Sequence, residues 1–147
     1  MRTSQPYDER YATCSYTHAW LRIMGESLDP DEVTCLLEVT PTEIQRSGER
    51  LSPETDNVHQ YSGWFLSTKG VLTSLDARHH LDWILERVGD KHREFAALRD
   101  RGYLLDACCR WDSKSGEGGP TLSPLQMLGF AQLGIELWFD IYFDDRD

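Results

Sequence analysis

One short sequence phrase occurs twice in this chain, and it constrains the fold more than any other feature does. A Leu-Asp-Pro-Asp-Glu run covers residues 28–32, and a Leu-Ser-Pro-Leu-Gln run covers residues 122–126. Each run places a helix N-cap residue, Asp29 or Ser123, before a proline suited to the first helical position, and Glu or Gln follows three residues after the cap. Each run also follows one strand-like segment and leads through a short helix towards another. The repeat therefore predicts two βαβ-like halves.

Alternation of apolar and polar residues predicts the strands, and apolar spacing together with capping signals predicts the helices. The predicted strands cover residues 18–24, 63–68, 103–111 and 135–143. The predicted helices begin at Asp29, Ser74 and Ser123, and the second is interrupted at residues 89–90. This order favours an α+β fold, ferredoxin-like in spirit, with a single mostly antiparallel sheet and helices packed on one face. Alternating strands argue against a doubly wound parallel sheet, whose strands are buried on both faces.

The chain length fits one domain, and composition divides it into two parts. Residues 1–16 form a polar lead-in, and residues 17–147 form a single α+β domain. Within that domain, residues 41–60 are polar and contain several turn formers, so we interpret them as a long loop that has room for a short strand or turn.

Spacing also assigns several side chains to the interior or to the surface. In the last helix, Leu125, Leu128 and Ala131 are predicted to face the core. Cys35 lies on the apolar side of the first helix and is predicted to be a small core residue. Because the four cysteines form no C-x-x-C pair, we interpret them as reduced structural thiols. The adjacent histidines at positions 79–80 are predicted at the surface or its boundary.

The charge pattern restricts the classes of partner. The formal net charge is −10 and the basic residues are dispersed, which argues against nucleic-acid binding because phosphate backbones require clustered Lys and Arg. No apolar run approaches the ~20 residues that a membrane span needs, and residues 1–10 lack the apolar core of a secretory signal. We therefore expect a cytoplasmic protein. Its net negative charge is explained either by solubility alone or by a basic partner, because complementary charge accelerates the association of two proteins.

The polar side of the sheet has an unusual composition. If the aliphatic side of the last strand faces the helices, the first and last strands together present these side chains on the other side: His18, Trp20, Arg22, Glu136, Trp138, Asp140 and Tyr142. Aromatic residues with polar tips are enriched at interfaces. Three alternatives remain open for this surface. It is covered by residues 41–60 or by the N-terminal segment, it is a dimer or partner interface, or it is the floor of a ligand cleft.

The candidate binding residues come from this surface and its surroundings. They are Trp20, Arg22, Trp111, Gly118, Gly119, Trp138, Asp140 and Tyr142. The two glycines belong to a glycine-rich loop at residues 113–120, which lies between a strand and a helix as phosphate-cradling loops do. The loop lacks the Walker pattern, and Asp112 and Glu117 would repel phosphate. We therefore interpret it as a mobile crossover loop.

A different class of function is also compatible with these residues. A small-ligand-binding protein or hydrolase-like enzyme would line a cleft near the glycine-rich loop with Asp106, Arg110, Asp112 and Asp140. Cys108 or Cys109 as a nucleophile would need His18 as its base. No histidine pair has metal-ligand spacing, so we expect no metal site and no cofactor.

A series of short motifs extends over residues 17–143. They are Leu21-Arg22-Ile23, Leu28-Asp29-Pro30-Asp31-Glu32-Val33, Pro41-Thr42, Gly48-Glu49, Gly63-Trp64, Leu81-Asp82-Trp83, Gly118-Gly119-Pro120-Thr121-Leu122-Ser123-Pro124 and Asp140-Ile141-Tyr142. In this order and spacing they resemble a bacterial family, the domain-of-unknown-function family numbered 4279. The resemblance implies a bacterial origin and a small soluble α+β domain. It carries no established activity, cofactor or catalytic residue.

The first functional hypothesis is a non-enzymatic protein-binding or regulatory module that uses the aromatic and acidic sheet surface. Its occupant would be a protein partner or, in a homodimer, a second copy of the chain. By analogy with other small acidic bacterial proteins, an immunity-type partner is the specific form of this hypothesis. The ligand-binding or hydrolase-like function is its alternative.

Overall fold

A computed structural model describes residues 6–143. Its elements are β1 (Cys14–Gly25), α1 (Pro30–Leu37), β2 (Glu43–Gln45), β3 (Ser62–Ser67), α2 (Ala77–Val88), α3 (His92–Asp100), β4 (Leu104–Ser113), α4 (Pro124–Leu133) and β5 (Glu136–Phe143). The predicted order is present, with the short strand β2 added inside the predicted loop and the middle helix divided into α2 and α3. No helix within the described part of the chain is long and apolar enough to cross a membrane.

The five strands form one sheet in the order β2-β3-β1-β4-β5. The pairs β2–β3, β3–β1 and β1–β4 are antiparallel, and only β4–β5 is parallel. The α+β prediction, with one mostly antiparallel sheet and helices on one face, is confirmed. In the second half, β4, α4 and β5 form a parallel βαβ unit. In the first half, β1 and β3 are adjacent but antiparallel, because β2 and a longer connection lie between α1 and β3.

The repeated phrase forms the same local structure at both positions. Asp29 caps α1, where its side chain accepts a hydrogen bond of 3.0 Å from the Asp31 N–H. Ser123 precedes α4, and its own N–H donates to Gln126 Oε1 at 2.7 Å as one half of a capping box. A proline follows each cap at the first helical position. The cap of α4 at its other end is Gly134, whose φ of 69° is left-handed and favours glycine.

The core lies between the sheet and the four helices. The odd-numbered residues of β1 and β4 and the even-numbered residues of β3 point into it. The most deeply buried side chains include Leu21, Ile23, Trp64, Leu66, Leu81, Ile84, Phe95, Leu98, Trp111 and Leu133. Because one sheet face supplies all the strand residues of this core, the opposite face is left without covering helices.

The predicted buried face of α4 is wrong. Leu128 is 52% exposed and Ala131 is also exposed, whereas Phe130 and Leu133 are buried. Apolar residues occupy most of the circumference of this helix, so their spacing does not single out one direction. The capping contact of Ser123 and the packing of Phe130 against the core set the rotation of the helix instead.

Two further side chains differ in burial from the prediction. Cys35 is exposed, because the apolar stripe of α1 passes through Val33 and Leu37 and leaves Cys35 outside it. His80 is fully buried. Its ring nitrogens lie 2.6 Å from Thr68 Oγ1 and 2.7 Å from the Ser74 carbonyl oxygen, which satisfies both polar atoms in the interior.

The described part of the N-terminal lead-in packs on the helix side of the molecule. The Tyr7 ring stacks on His79 with centroids 4.4 Å apart, and the Tyr7 hydroxyl contacts Asp82 Oδ2 at 2.5 Å. The Asp8 N–H donates to Asp76 Oδ2 at 2.8 Å. The segment therefore packs against the first half of α2. Strand β1 begins at Cys14, which lies within the range predicted as lead-in.

Candidate functional site: the open face of the sheet

The sheet face that carries no helices brings together most of the predicted site residues. Strand register places Arg22 opposite Asp106, Trp20 opposite Cys108, and Cys108 opposite Trp138. Directly paired residues point to the same side of a sheet. We call this surface the open face and define it by Tyr16, His18, Trp20, Arg22, Phe65, Asp106, Cys108, Arg110, Asp112, Glu136, Trp138, Asp140 and Tyr142. The predicted grouping of Trp20, Arg22 and Trp138 on one side is confirmed.

An ion pair joins β1 to β4 at one end of the open face, in the row that pairs Arg22 with Asp106 and Asp106 with Glu136. Arg22 donates from Nε to Asp106 Oδ1 at 2.8 Å and from Nη2 to Asp106 Oδ2 at 2.6 Å. Trp138 Nε1 donates to the same Oδ2 at 3.1 Å, and the Arg22 guanidinium carbon lies 5.5 Å from the Trp138 ring centroid. The hydrogen bonds to Asp106 raise the pKa of Arg22. Asp106 therefore holds an arginine and a tryptophan in fixed positions.

A second ion pair repeats this arrangement further along β4. Arg110 donates to the two carboxylate oxygens of Asp112 at 2.9 and 3.2 Å, which raises the pKa of Arg110. Its guanidinium carbon lies 4.1 Å from the Tyr142 ring centroid and 5.6 Å from that of Tyr16. Cation–π contacts of this kind favour one orientation of each ring. Both arginines of the open face are thus neutralised by aspartates and stacked on aromatic rings.

His18 joins the two aromatic groups of β1. Its ring stacks on Trp20 with centroids 4.9 Å apart and meets the edge of Tyr16 at 5.4 Å. Only 8% of His18 is exposed, and its Nδ1 has no hydrogen-bond partner among the described residues. Burial, with help from the positive charges of Lys69 and Arg110, lowers the pKa of His18 to about 4. The ring is therefore neutral at physiological pH.

The thiols near this face are poor nucleophiles. Cys108 is buried between Trp20 and Trp138, and burial, followed by the charge of Asp140, raises its pKa to about 12. Cys109 points into the core, and burial raises its pKa to about 11. Since the thiolate is the reactive form, these geometries argue against nucleophilic catalysis by either residue.

Solvent reaches the aromatic side chains of the open face. Trp138 is 38% exposed, Tyr142 is 45% exposed and Tyr16 is 38% exposed. The described N-terminal segment lies on the helix side, and residues 46–61 fold beside β2 and β3 with an isolated bridge between Arg50 and Val58. Among the described residues, neither segment covers these rings, so the first of the three alternatives for this surface receives no support.

Among the residues that define the open face, the charged groups without an ion pair are acidic, and the positive charge of Lys69 lies close to the same face beside His18. Asp106 and Asp112 are occupied by arginines. Glu136 is exposed and Asp140 is half-buried, and neither forms an ion pair with another described residue. Glu136 and Asp140 therefore lie beside aromatic rings without an ion pair, and Glu43, which pairs with Phe65, is a further such carboxylate on this side of the sheet.

Trp111 and the glycine-rich loop lie away from the open face, which corrects their predicted position. Trp111 is 1% exposed, because odd-numbered residues of β4 point to the helices, and its ring meets the edge of Tyr11 at 6.3 Å. The Tyr11 hydroxyl donates to the Gly119 carbonyl oxygen at 2.6 Å. Gly118 has a φ of +84° and lies against Thr13. The loop is therefore fastened to residues near the start of β1.

The four residues of the alternative hypothesis lie on the same side of the sheet. Asp106, Arg110, Asp112 and Asp140 share the open face, but two of the carboxylates are already engaged with arginines. A cleft of about 610 Å³ lies at the end of β1, lined by Met24, Gly25, Glu26, Ser27, Tyr61, Arg101, Gly102, Tyr103 and Leu104. No group of three potential metal ligands converges within the described residues.

Tyr16 and Phe65 belong to the open face but were missed by the sequence analysis. The signal for Tyr16 was present, because Tyr16, His18, Trp20 and Arg22 occupy alternate positions of one strand. Starting the predicted strand at position 18 excluded it. Phe65 reaches the face only through its pairing with Arg22 across β1 and β3, which local sequence does not specify.

Comparison with known proteins gives one match. A family model described as "Domain of unknown function (DUF4279)" matches residues 14–144, which is nearly the whole chain. The match begins where β1 begins and includes every strand and helix of the fold. No curated protein and no solved structure matches the chain.

Proposed function

Because the chain belongs to the DUF4279 family, whose description assigns no activity, we propose a function from the chain's own surface. The protein is a non-enzymatic binding module that holds a basic protein partner on the open face. The observation that carries the proposal is a set of part-exposed aromatic rings held in place by two bidentate Arg–Asp pairs. Trp, Tyr and Arg are the residues that dominate protein interfaces.

Rigidity of the open face favours binding. A side chain that is ordered before association loses less conformational entropy when the complex forms. Trp138 is held by Asp106, and Tyr142 is held by Arg110, so two exposed rings are ordered in the free protein. Both rings project from a sheet, which is a more rigid support than a loop.

The charge of the protein supports a basic partner. Glu136 and Asp140 are carboxylates of the open face that form no ion pair with an arginine among the described residues. The whole chain carries a formal net charge of −10. An acidic surface attracts a basic partner over a distance and discriminates against acidic competitors. A regulatory or immunity-type module, which occupies the basic surface of another protein, is the specific form of this proposal.

The same contacts weigh against the hydrolase-like alternative. A general base needs a carboxylate that is free to accept a proton from substrate. Asp106 and Asp112 each accept two hydrogen bonds from an arginine, and these bonds occupy both carboxylate oxygens. The described residues thus favour recognition by the open face over acid–base chemistry on it.

Affinity capture from the native host tests the proposal with a matched pair of variants. Trp138→Ala removes an exposed ring of the open face. Trp83→Ala removes a tryptophan of α2, on the opposite side of the sheet, where Arg87 stacks 3.4 Å from the ring centroid. We expect wild type and Trp83→Ala to recover the same basic protein and Trp138→Ala to lose it. Recovery of every specific partner by Trp138→Ala at wild-type yield would overturn the proposal. Thermal unfolding of both variants shows that each remains folded.

A further inference from the structure

The outer edge of β5 is an unpaired strand edge. β5 lies at the end of the sheet and pairs only with β4, over the full register from Glu136 to Phe143. Among the described residues, no backbone hydrogen bond reaches β5 from its other side. The opposite edge of the sheet is β2, which is only three residues long. The longer unpaired edge is therefore that of β5, whose even-numbered residues belong to the open face.

Natural proteins usually protect an edge strand of this length. Common devices are a proline, a lysine, a bulge or a covering segment. β5 has the sequence ELWFDIYF, with no proline or lysine, and its register with β4 contains no bulge. Its exposed residues include Ile141 and Phe143, the latter 62% exposed. Such an edge is suited to accept a further strand through main-chain hydrogen bonds.

We propose that the β5 edge receives an extended segment of the partner, in which basic residues alternate with aliphatic ones. This inference rests on the proposed function, since it names how one part of that partner binds. Even-numbered residues of β5 lie on the open face and include Glu136 and Asp140, whereas odd-numbered residues, such as Leu137 and Ile141, lie on the helix side. An added strand keeps the same alternation of faces. Its open-face positions therefore suit Lys or Arg, and its helix-side positions suit Val, Ile or Leu.

Charge distinguishes this occupant from a second copy of the chain. A second β5 would carry its own Glu136 and Asp140 to the same edge, on a molecule whose formal net charge is also −10. Like charges that face each other across strands are destabilising. A basic segment instead places a cation near each of the two carboxylates.

Titration with defined peptides tests the edge. The probe is an eight-residue peptide that alternates Lys and Val. Its controls are the matching Glu–Val peptide and a block peptide of the same composition as the probe, in which all the lysines precede all the valines. We expect the alternating Lys–Val peptide to bind, with cross-strand nuclear Overhauser contacts between its backbone and that of Glu136–Phe143. The Glu–Val and block peptides should bind at least about tenfold more weakly. Contacts confined to other strands or to side chains, or no binding of the Lys–Val peptide, would overturn the inference.

Charge-matched variants complete the experiment. The double variant Glu136→Gln, Asp140→Asn should weaken Lys–Val binding about five- to tenfold, whereas Glu49→Gln, Glu54→Gln removes the same charge beside the opposite edge and should leave it unchanged. Equal effects of the two double variants would contradict recognition at the β5 edge. So would light scattering that shows a dimer whose β5 amides are already protected. If the peptide fails while capture still depends on Trp138, the edge inference is wrong and the proposed function stands.

Discussion

Single aspartates determine the geometry of the open face at the scale of the residue. Asp106 receives hydrogen bonds from both Arg22 and Trp138, although these residues lie on different strands. Arg110 and Asp112 perform the same task beside Tyr142. Because Trp138 and Tyr142 each contact a charged side chain that is itself held in an ion pair, removal of one acid should disturb several neighbours at once.

Asp106→Ala tests this dependence. The change leaves the part-buried Arg22 without its counterion and the Trp138 N–H without its acceptor, so we expect a loss of about 1–3 kcal/mol in the free energy of unfolding. Urea unfolding measures it. Asp56→Ala removes the partner of Arg50 in a solvent-exposed ion pair of 3.6 Å and should leave stability unchanged. Equal effects of the two substitutions would show that the Arg22–Asp106 ion pair contributes no more than an exposed one.

The buried ring of His18 predicts a pH dependence. Its pKa is lowered to about 4 in the folded protein, against an ordinary value near 6.5. Between these values the unfolded chain binds a proton that the folded protein does not, so stability is full above pH 6.5 and falls as the pH drops towards 4. His18→Phe keeps the stacked ring without this titration. It should lose about 3 kcal/mol less than wild type between pH 7 and pH 4.

Unfolding free energies over that pH range check the prediction. The control is His92→Phe, a substitution of an exposed histidine in α3, which should follow the wild-type profile. Burial also lowers the pKa of His80, so part of the acid loss should persist in His18→Phe. A profile of His18→Phe that parallels wild type throughout would contradict a buried, neutral His18.

At the scale of the element, local signals predicted strands and caps well and the rotation of helices poorly. Period-two alternation placed Trp138 and Trp20 on one side because a strand has only two faces. Capping residues placed both repeated helix starts because their hydrogen bonds are local. The rotation of α4 depends on distant contacts, such as Gln126 Nε2 donating to Asp82 at 2.8 Å, and these leave no local pattern.

Two aspartate caps with different surroundings provide an element-scale prediction. Asp29 caps α1 near the surface, and Asp29→Ala should cost about 1 kcal/mol. Asp76 caps α2 in the interior, where it also accepts hydrogen bonds from the Arg78 guanidinium and the Asp8 N–H. Burial opposes its ionisation, but these hydrogen bonds prevail and lower its pKa.

Asp76→Ala should therefore be the more damaging of the two. It leaves the buried Arg78 charge unpaired and frees the N-terminal segment, so we expect a loss of about 3–5 kcal/mol. Chemical denaturation compares the variants directly. Increased proteolysis near residues 6–13 in Asp76→Ala, and not in Asp29→Ala, should accompany the loss. Similar unfolding free energies for the two variants would mean that burial adds nothing to the cap.

At the scale of the whole molecule, strand order assembles the site. Trp20 and Trp138 are far apart in sequence and lie on either side of Cys108 only because β4 runs between β1 and β5. Sequence alternation predicted the composition of this face, yet it could not predict that Asp106 and Asp112 are occupied by arginines, since those pairs depend on register. Trp111 was predicted to lie near this surface but points to the helix side, because sequence alone did not show which side of β4 faces the helices.

The same strand order leaves one sheet face uncovered and one long edge unpaired. The helices occupy the opposite side, and the described N-terminal segment adds to that side. The open face and the β5 edge adjoin each other, so a single partner has room to contact both. Net charge acts over the entire molecule, and binding of a basic partner should therefore weaken as salt concentration rises.

The most direct test of a binding role for the open face is hydrogen–deuterium exchange with and without the partner recovered by affinity capture. We expect protection in β5 and in the adjoining stretches of β1 and β4, with little change in α2, α3 and α4. We also expect Trp138→Ala to remove that protection. Protection confined to the helices, or to the cleft lined by Gly25 and Tyr103, would show that the open face is not the binding surface.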